Sequence, residues 1–385
     1  MERNNKLRFD PYKAPSPSFV LDEKLLENNL NKFEYIQSKT RAKILLALKG
    51  FAMYSVFPRI KKILYGVCAS TPHEAQLGRK RFKKEVHTFQ AAYSESDLKT
   101  DLKLSDHIVF NSFSQWEKFK TLTEKYSKKV SFGIRVNPEH SEAPAAIYDP
   151  CCRFSRLGVK KDSFKDRDLT GISGLHFHTL CEQDSFALER TLIAFEKNFS
   201  EIIPRMKWIN FGGGHHITRE DYDIGHLINL INNFQDKYNT DIYLEPGEAV
   251  ALNTGFFIST VLDIIENEMK IAVLDCSAAA HLPDVIEMPY RPDIIDSGKP
   301  EEHQYTYKLG GMSCLAGDII GDYSFKKPLK PGDRLVFTDM AHYTIVKTNT
   351  FNGIKLPDIC IVKKEKNDIK VIRRFGYKDF ETRLS

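Results

Sequence analysis

Two patterns predict an α/β fold: a (β/α)8 barrel joined to a C-terminal all-β domain. Eight short apolar runs alternate with amphipathic helical stretches over roughly the first two thirds of the chain, and strand-like segments with turns follow to the end. Length is the third observation, because 385 residues exceed what one ordinary core fills.

The opening stretch, "MERNNKLRFDPYKAPSPSF", is polar and lacks the apolar core of a secretion signal. Within it "PSPSFVLD" reads as an extended lead-in. Barrel strands are expected over 43–49, 63–68, 86–89, 107–111, 130–137, 172–178, 207–211 and 241–245. Segments between them, such as "DSFALERTLIAFEKNFSEII", repeat apolar residues at three- and four-residue spacing, as amphipathic helices do. No sequence repeat accompanies the alternation. After about Thr254 the pattern changes to "FFISTVLDII", "KIAVLDCS", "HQYTYKLGG", "DRLVFTD" and "ICIVKKEKNDIKVIRRF", broken by turns such as "KPGD". The expected division is a barrel over 25–255 and a β domain built from 1–24 and 256–385.

Composition narrows the function classes. Hydrophobic content of 42% and charged content of 28% are those of a globular protein, and no run of 18 apolar residues predicts a membrane span. The net charge of +5 is mild and spread along the chain, so a nucleic-acid partner is not expected. The basic and aromatic "KVIRRFGYKDF" reads as a strand with a solvated face. Seven cysteines without CxxC spacing, the adjacent Cys151 and Cys152 included, read as free thiols. A cytoplasmic location is expected.

Several predicted strands end in polar residues on one alternating face: Lys49, Arg135 with Asn137, His176 with His178, and Glu245 after Tyr243. Active sites of this fold lie at the C-terminal ends of the strands, so the set reads as a site. A lysine at a dry strand end loses its charge more easily and can then condense with an aldehyde. Pyridoxal 5'-phosphate (PLP) is the obvious aldehyde. Its phosphate needs backbone N–H groups without side-chain bulk, and "NFGGGHH" offers Gly212, Gly213 and Gly214. Its pyridine nitrogen needs an acid, for which Glu245 is the candidate. Its ring needs a flat face, for which His178 is suitable. The histidine pairs 176/178 and 215/216 also suit a metal, but a metal site leaves Lys49 unexplained, and none is expected.

At this point "LALKGF", "GLHFHTLCEQ", "NFGGGHH", "YLEPGEA" and "GGMSCLAGD" resemble the motif series of fold-type III, PLP-dependent decarboxylases. The resemblance is strongest to their carboxynorspermidine (carboxyspermidine) decarboxylase branch and covers nearly the whole chain. It implies a barrel of the alanine racemase type, a β domain that contributes to the dimer and the active site, and a homodimer with shared sites. It implies that Lys49 holds PLP, that His178 stacks on the ring, and that Gly213, Gly214, Gly247 and Tyr343 hold the phosphate. Arg135 joins the cofactor-binding set, and Glu245 pairs with the pyridine nitrogen. Cys314 of the other subunit is implied to return a proton after CO2 leaves. A thiol, with an ordinary pKa of about 8.5, can do this near neutral pH.

Ornithine- and diaminopimelate-type relatives generally carry an arginine after "EPG", an acid after the catalytic cysteine and an acid before "CAS". This chain has Glu248, Leu315 and Val67 there. Acids near the site suit a carboxylated polyamine with several ammonium groups, so Glu248, Asp284 and Asp318 are the expected substrate contacts, with turn capping as the alternative for Asp318. The implied activity is a carboxy-lyase of polyamine and spermidine biosynthesis, forming norspermidine or spermidine. Alternatives are a diaminopimelate- or ornithine-type decarboxylase, a racemase, or a non-catalytic PLP-binding homologue.

Overall fold

The computed structural model describes residues 7–385. The first six residues of the polar lead-in, and of the expected 1–24 segment, lie outside that range. Contacts divide the chain into two units, 29–250 and 1–28 with 251–385.

Strand β1 (Ser18–Asp22) and helix α1 (Glu23–Lys39) come first. The barrel follows as β2 (Lys43–Ala47), β3 (Gly66–Ala69), β4 (Glu85–Phe89), β5 (His107–Phe110), β6 (Ser131–Arg135), β7 (Ile172–His176), β8 (Trp208–Asn210) and β9 (Asp241–Leu244). Each strand pairs in parallel with the next, and β9 returns to β2 through Lys43 opposite Tyr243, closing the barrel. The eight expected strands are therefore present; β4 is one residue longer than its sequence run, and the others are shorter than or shifted from theirs. The apolar runs reflect burial on both faces, as Ile44 to Ala47 of β2 illustrate.

The barrel interior is filled. Trp208, 3% exposed, lies among Leu45, Val109 and Tyr243. A Cβ on Gly174 would fall 2.1 Å from its ring, so this strand position must be glycine for the indole to fit. The indole N–H is satisfied by Ser131 Oγ at 2.8 Å. Outside, α2 (Ser185–Phe199) is capped by Asp184, which accepts from the Ala187 amide at 2.9 Å. It buries Leu188, Leu192, Phe195 and Phe199, one helical face, worth about 1.5–3 kcal/mol per side chain. Phe195 also meets Phe234 of α3 (Ile224–Tyr238), which holds neighbouring crossovers on the strands.

The other unit is built on a nine-stranded sheet. Its strands are β1 with β10 (Gly255–Asn267), β11 (Met269–Leu274), β12 (Ser297–Gly298), β13 (Tyr305–Gly310), β14 (Ile319–Phe325), β15 (Arg334–Thr338), β16 (Asp358–Val362) and β17 (Ile369–Arg373). The order is β12-β14-β13-β11-β10-β1-β16-β17, with β15 on β10. The extended lead-in becomes a strand because β1 pairs antiparallel with β10 and parallel with β16. Phe257, Phe337, Tyr307, Tyr323 and Leu309 form its core. Short helices such as Ala278–His281 and Thr344–Lys347 interrupt the expected all-β pattern. The seven cysteines are free thiols. Among the described residues no helix is long and apolar enough to cross a membrane.

Candidate active site

The loops that leave β2, β7, β8 and β9 meet at the C-terminal rim of the barrel. The Ala47 amide donates to the Pro246 carbonyl at 3.0 Å, and the Glu245 amide donates to the Gly212 carbonyl at 2.7 Å. Gly50 and Gly247 let the first and last loops touch: a Cβ on Gly50 would lie 3.0 Å from the Glu248 nitrogen.

Lys49 corrects one expectation. Strand β2 ends at Ala47, and Lys49 stands exposed in the turn that follows rather than at a dry strand end. Burial therefore does not single out this lysine. Its position does. Its ammonium has no hydrogen bond or ion pair among the described residues. Its charge is felt by Cys68, Glu74, His176, His178 and Cys181.

Glu245 is held from below. The Asn210 side-chain amide donates to Oε1 at 2.7 Å, and His176 Nε2 lies 3.4 Å from Oε2. Burial alone would raise this carboxyl, but the His176 ring and the Asn210 amide outweigh it and pull it down to about 2. Burial pushes His176 down, and the facing Glu245 carboxylate opposes that shift. His178 is pushed well down by burial and by the charges of Lys49 and Arg135. The Gly213 amide donates to His178 Nδ1 at 3.0 Å, which fixes the tautomer with its proton on Nε2. Arg135, 5% exposed, donates to the His178 carbonyl at 3.1 Å and stacks over Phe89 at 4.7 Å. It thus underpins His178.

The glycine run is shaped by close approach. A Cβ on Gly213 would lie 2.2 Å from the Glu245 carbonyl oxygen. Gly214 has φ +85°, and its Cβ would lie 1.8 Å from the Leu180 carbonyl oxygen. Among the described residues, the amides of Gly214 and His215 have no hydrogen-bond partner. His215 Nδ1 lies 2.9 Å from the Tyr222 hydroxyl, and His216 Nε2 lies 3.3 Å from Glu248 Oε2. Glu182 joins this pair, with ligand atoms within 4.8 Å of one another.

The remaining expected residues lie in the other unit. Cys314 is exposed on the loop between β13 and β14. Tyr343 adopts φ 43°, ψ −55°, a costly conformation for a tyrosine and of the kind that collects at functional sites. Asp284 is paired with Lys347, which also reaches Glu287. Asp318 is 3% exposed and accepts from backbone amides of Ala278, Ala279 and Ser313. Its geometry is that of a capping residue rather than an open substrate contact.

A family model described as "Pyridoxal-dependent decarboxylase, C-terminal sheet domain" matches residues 19–341. The chain belongs to the pyridoxal-dependent decarboxylases. This decarboxylase is 44% identical to the carboxynorspermidine/carboxyspermidine decarboxylase of Campylobacter jejuni, over 96% of this chain and 99% of that one. It is equally, 44%, identical to the carboxyaminopropylagmatine decarboxylase of Synechocystis, over 96% of this chain and 95% of the other. The crystal structure of C. jejuni carboxynorspermidine decarboxylase complexed with norspermidine superposes with a TM-score of 0.89 at 43% identity, covering 96% and 99% of the two chains.

The cofactor of the family is PLP, and the rim of this decarboxylase fits it. An unpaired primary amine suits the aldehyde, an ionised carboxylate suits a protonated ring nitrogen, and a neutral imidazole fixed in plane suits a flat ring. Two unpartnered amides in a glycine turn suit a phosphate. Asn210 and Glu74 were outside the expected site set, and His176, expected only as one of the polar strand ends, proves to be the partner of Glu245. Asn210 had a signal, a polar residue closing an apolar strand two residues before a glycine run. Glu74 had another, the Thr71-to-Glu74 capping pattern: Glu74 donates its amide to Thr71 and accepts from the Ser70 amide at 2.6 Å.

Proposed function

We propose that this decarboxylase acts on carboxynorspermidine or carboxyspermidine and releases norspermidine or spermidine. Identity of 44% with the C. jejuni enzyme over essentially both whole chains carries the reading. Equal identity with the Synechocystis enzyme favours a second reading, in which the far end of the substrate is an agmatine guanidinium. Both substrates pair an α-amino acid head with a cationic tail.

In this reading Lys49 Nζ would hold PLP covalently. Glu245 would serve the pyridine nitrogen, His178 the ring, and Gly213, Gly214, Gly247 and Tyr343 the phosphate. Arg135 acts through His178, whose carbonyl it anchors. When bound, the cofactor supplies the electron sink that takes the bonding pair as CO2 leaves. Glu245 keeps its charge across the working pH range because His176 and Asn210 hold it low. His178 stays neutral and so does not compete with Glu245 as a charge. Cys314 Sγ gives its proton to the α-carbon that has lost CO2 and regains one from water.

Glu248, with Glu182 and His216 beside it, is the proposed seat for a substrate ammonium; the convergence of two carboxylates supports it. Asp284 is a weaker contact because Lys347 already neutralises it, and Asp318 acts through its loop. The reading extends to a cytoplasmic homodimer in which Cys314 serves the partner's barrel. Exposed Met312 and Leu315 beside Cys314 support the dimer, and seven free thiols support a reducing compartment. The test is CO2 release from carboxynorspermidine, carboxyspermidine and carboxyaminopropylagmatine in parallel. A kcat/KM for the third that exceeds both others by tenfold would transfer the assignment to the second reading.

A further inference from the structure

Three segments of the β unit close a ring of hydrogen bonds around the loop that carries Cys314. On one side, Asp318 Oδ1 accepts from the amides of Ala278 at 2.6 Å and Ala279 at 3.3 Å, where the helix Ala278–His281 begins. Its Oδ2 accepts from the Ser313 amide at 3.0 Å. Gly311 lies flat on the same carboxylate, and a Cβ there would fall 2.4 Å from Oδ2. On the other side, Asn352 Oδ1 accepts from the Cys314 amide at 2.8 Å. Asn349 completes the circuit: its side chain donates to the Ala279 carbonyl and its amide donates to the Ala280 carbonyl, both at 2.9 Å. Asn352 itself sits at φ 57°, ψ 15°, a left-handed conformation that asparagine and aspartate tolerate better than most residues.

Beyond this ring, the Met312 amide donates to the Cys276 carbonyl at 2.9 Å and the Leu315 amide donates to Ser313 Oγ at 3.3 Å. Met312, Cys314, Leu315, Ala316 and Gly317 are exposed. Asp318, which is buried, and Asn352, itself exposed, therefore bracket an exposed thiol through contacts to the loop backbone.

We infer that Asp318 and Asn352 are positioning residues that fix the Cys314 backbone so that its thiol protonates one face of the α-carbon. The inference rests on the reading of Cys314 as proton donor. The step it serves is balanced: the S–H bond breaks, a C–H bond forms at the carbon that released CO2, and water restores the thiol proton. A donor displaced by about 1 Å loses on the order of 100-fold in rate, so the clamp matters more for turnover than for substrate binding.

The test uses the holoenzyme with carboxynorspermidine in D2O. The native enzyme should give one configuration at the monodeuterated carbon. Asn352→Ala should lower kcat about 10- to 100-fold, leave KM within about twofold, and give a mixture of configurations. Asn352→Asp keeps an oxygen acceptor and the left-handed backbone and should restore both. Independently of turnover, amide hydrogen exchange at Cys314 should quicken in Asn352→Ala, and exchange at Ser313 should quicken in Asp318→Ala. Unchanged exchange at Cys314 in Asn352→Ala, or a single product configuration with native kcat, overturns the proposal. Cys314→Ala separates the two readings. If it abolishes stereochemical control while Asn352→Ala does not, only the positioning role fails; if it changes neither rate nor configuration, the proton-donor reading fails and takes the positioning role with it.

Discussion

Replacing Asn210 by aspartate reverses one atom's role at the centre of the site. Its side-chain amide donates to Glu245 Oε1 at 2.7 Å, while its Oδ1 accepts from the Gly212 amide at 2.8 Å. Asn210→Asp keeps the shape and the contact to Gly212 but sets a second carboxylate against the first. Two unit charges at that distance repel by about 6 kcal/mol at an effective dielectric of about 20, so one proton is retained between them instead. Glu245 then shares that proton with the new carboxyl and loses part of its own charge, which weakens its pairing with the ring nitrogen by about 1.5–3 kcal/mol, the worth of a hydrogen bond to a charged group. Cofactor affinity should fall by about 10- to 100-fold. The loss should be greatest at low pH, where the shared proton is held, and should shrink as pH rises and the pair ionises. Absorbance titration of the cofactor-free protein with PLP from pH 6 to 9 measures this. A Kd within twofold of the native value across that range would refute the claim that Asn210 keeps Glu245 ionised for the cofactor.

Other outcomes follow from the same geometry. Borohydride reduction of the reconstituted enzyme should leave a pyridoxyl tag on the peptide containing Lys49 and none in Lys49→Ala; a tag on another lysine would remove Lys49 from its role. Glu248→Gln should raise KM for carboxynorspermidine about tenfold, about 1.4 kcal/mol, and an unchanged KM would release Glu248 from substrate binding. Asp101, 0% exposed, is pushed up to about 7 by burial, with one oxygen bonded to Gln90 and the other unpartnered. A carboxyl raised in the folded state costs nothing below its ordinary pKa of 3.8, and its penalty grows as pH rises to about 7. Asp101→Asn should therefore be more stable than the native protein at pH 8, by at most about 4 kcal/mol, and equal to it near pH 4. Urea unfolding at the two pH values measures the difference, and a gain independent of pH would exclude ionisation as its cause.

Local pattern was enough to read much of this protein. The alternation of apolar runs and helical spacing is set by which faces each short segment must bury, and it foretold the eight-stranded barrel and the sheet that follows. The glycine run after β8 and the acid after β9 were legible for the same reason: strand ends of this architecture converge on one rim, so residue type and order reveal a site. The motif series carried the family. What the sequence left open concerns partners distant along the chain. Asn210 and Glu245 are 35 residues apart, Cys314 and Asn352 are 38, and Asp318 and Ala278 are 40. No period or spacing encodes which carboxylate is ionised, which acid is spent on backbone amides, or which is already neutralised by a lysine. Those outcomes depend on burial and on hydrogen bonds made only when the chain folds. Lys49 shows the limit most clearly: residue order put it beside an apolar strand, and only the point where β2 stopped pairing decided that it stands in an exposed turn.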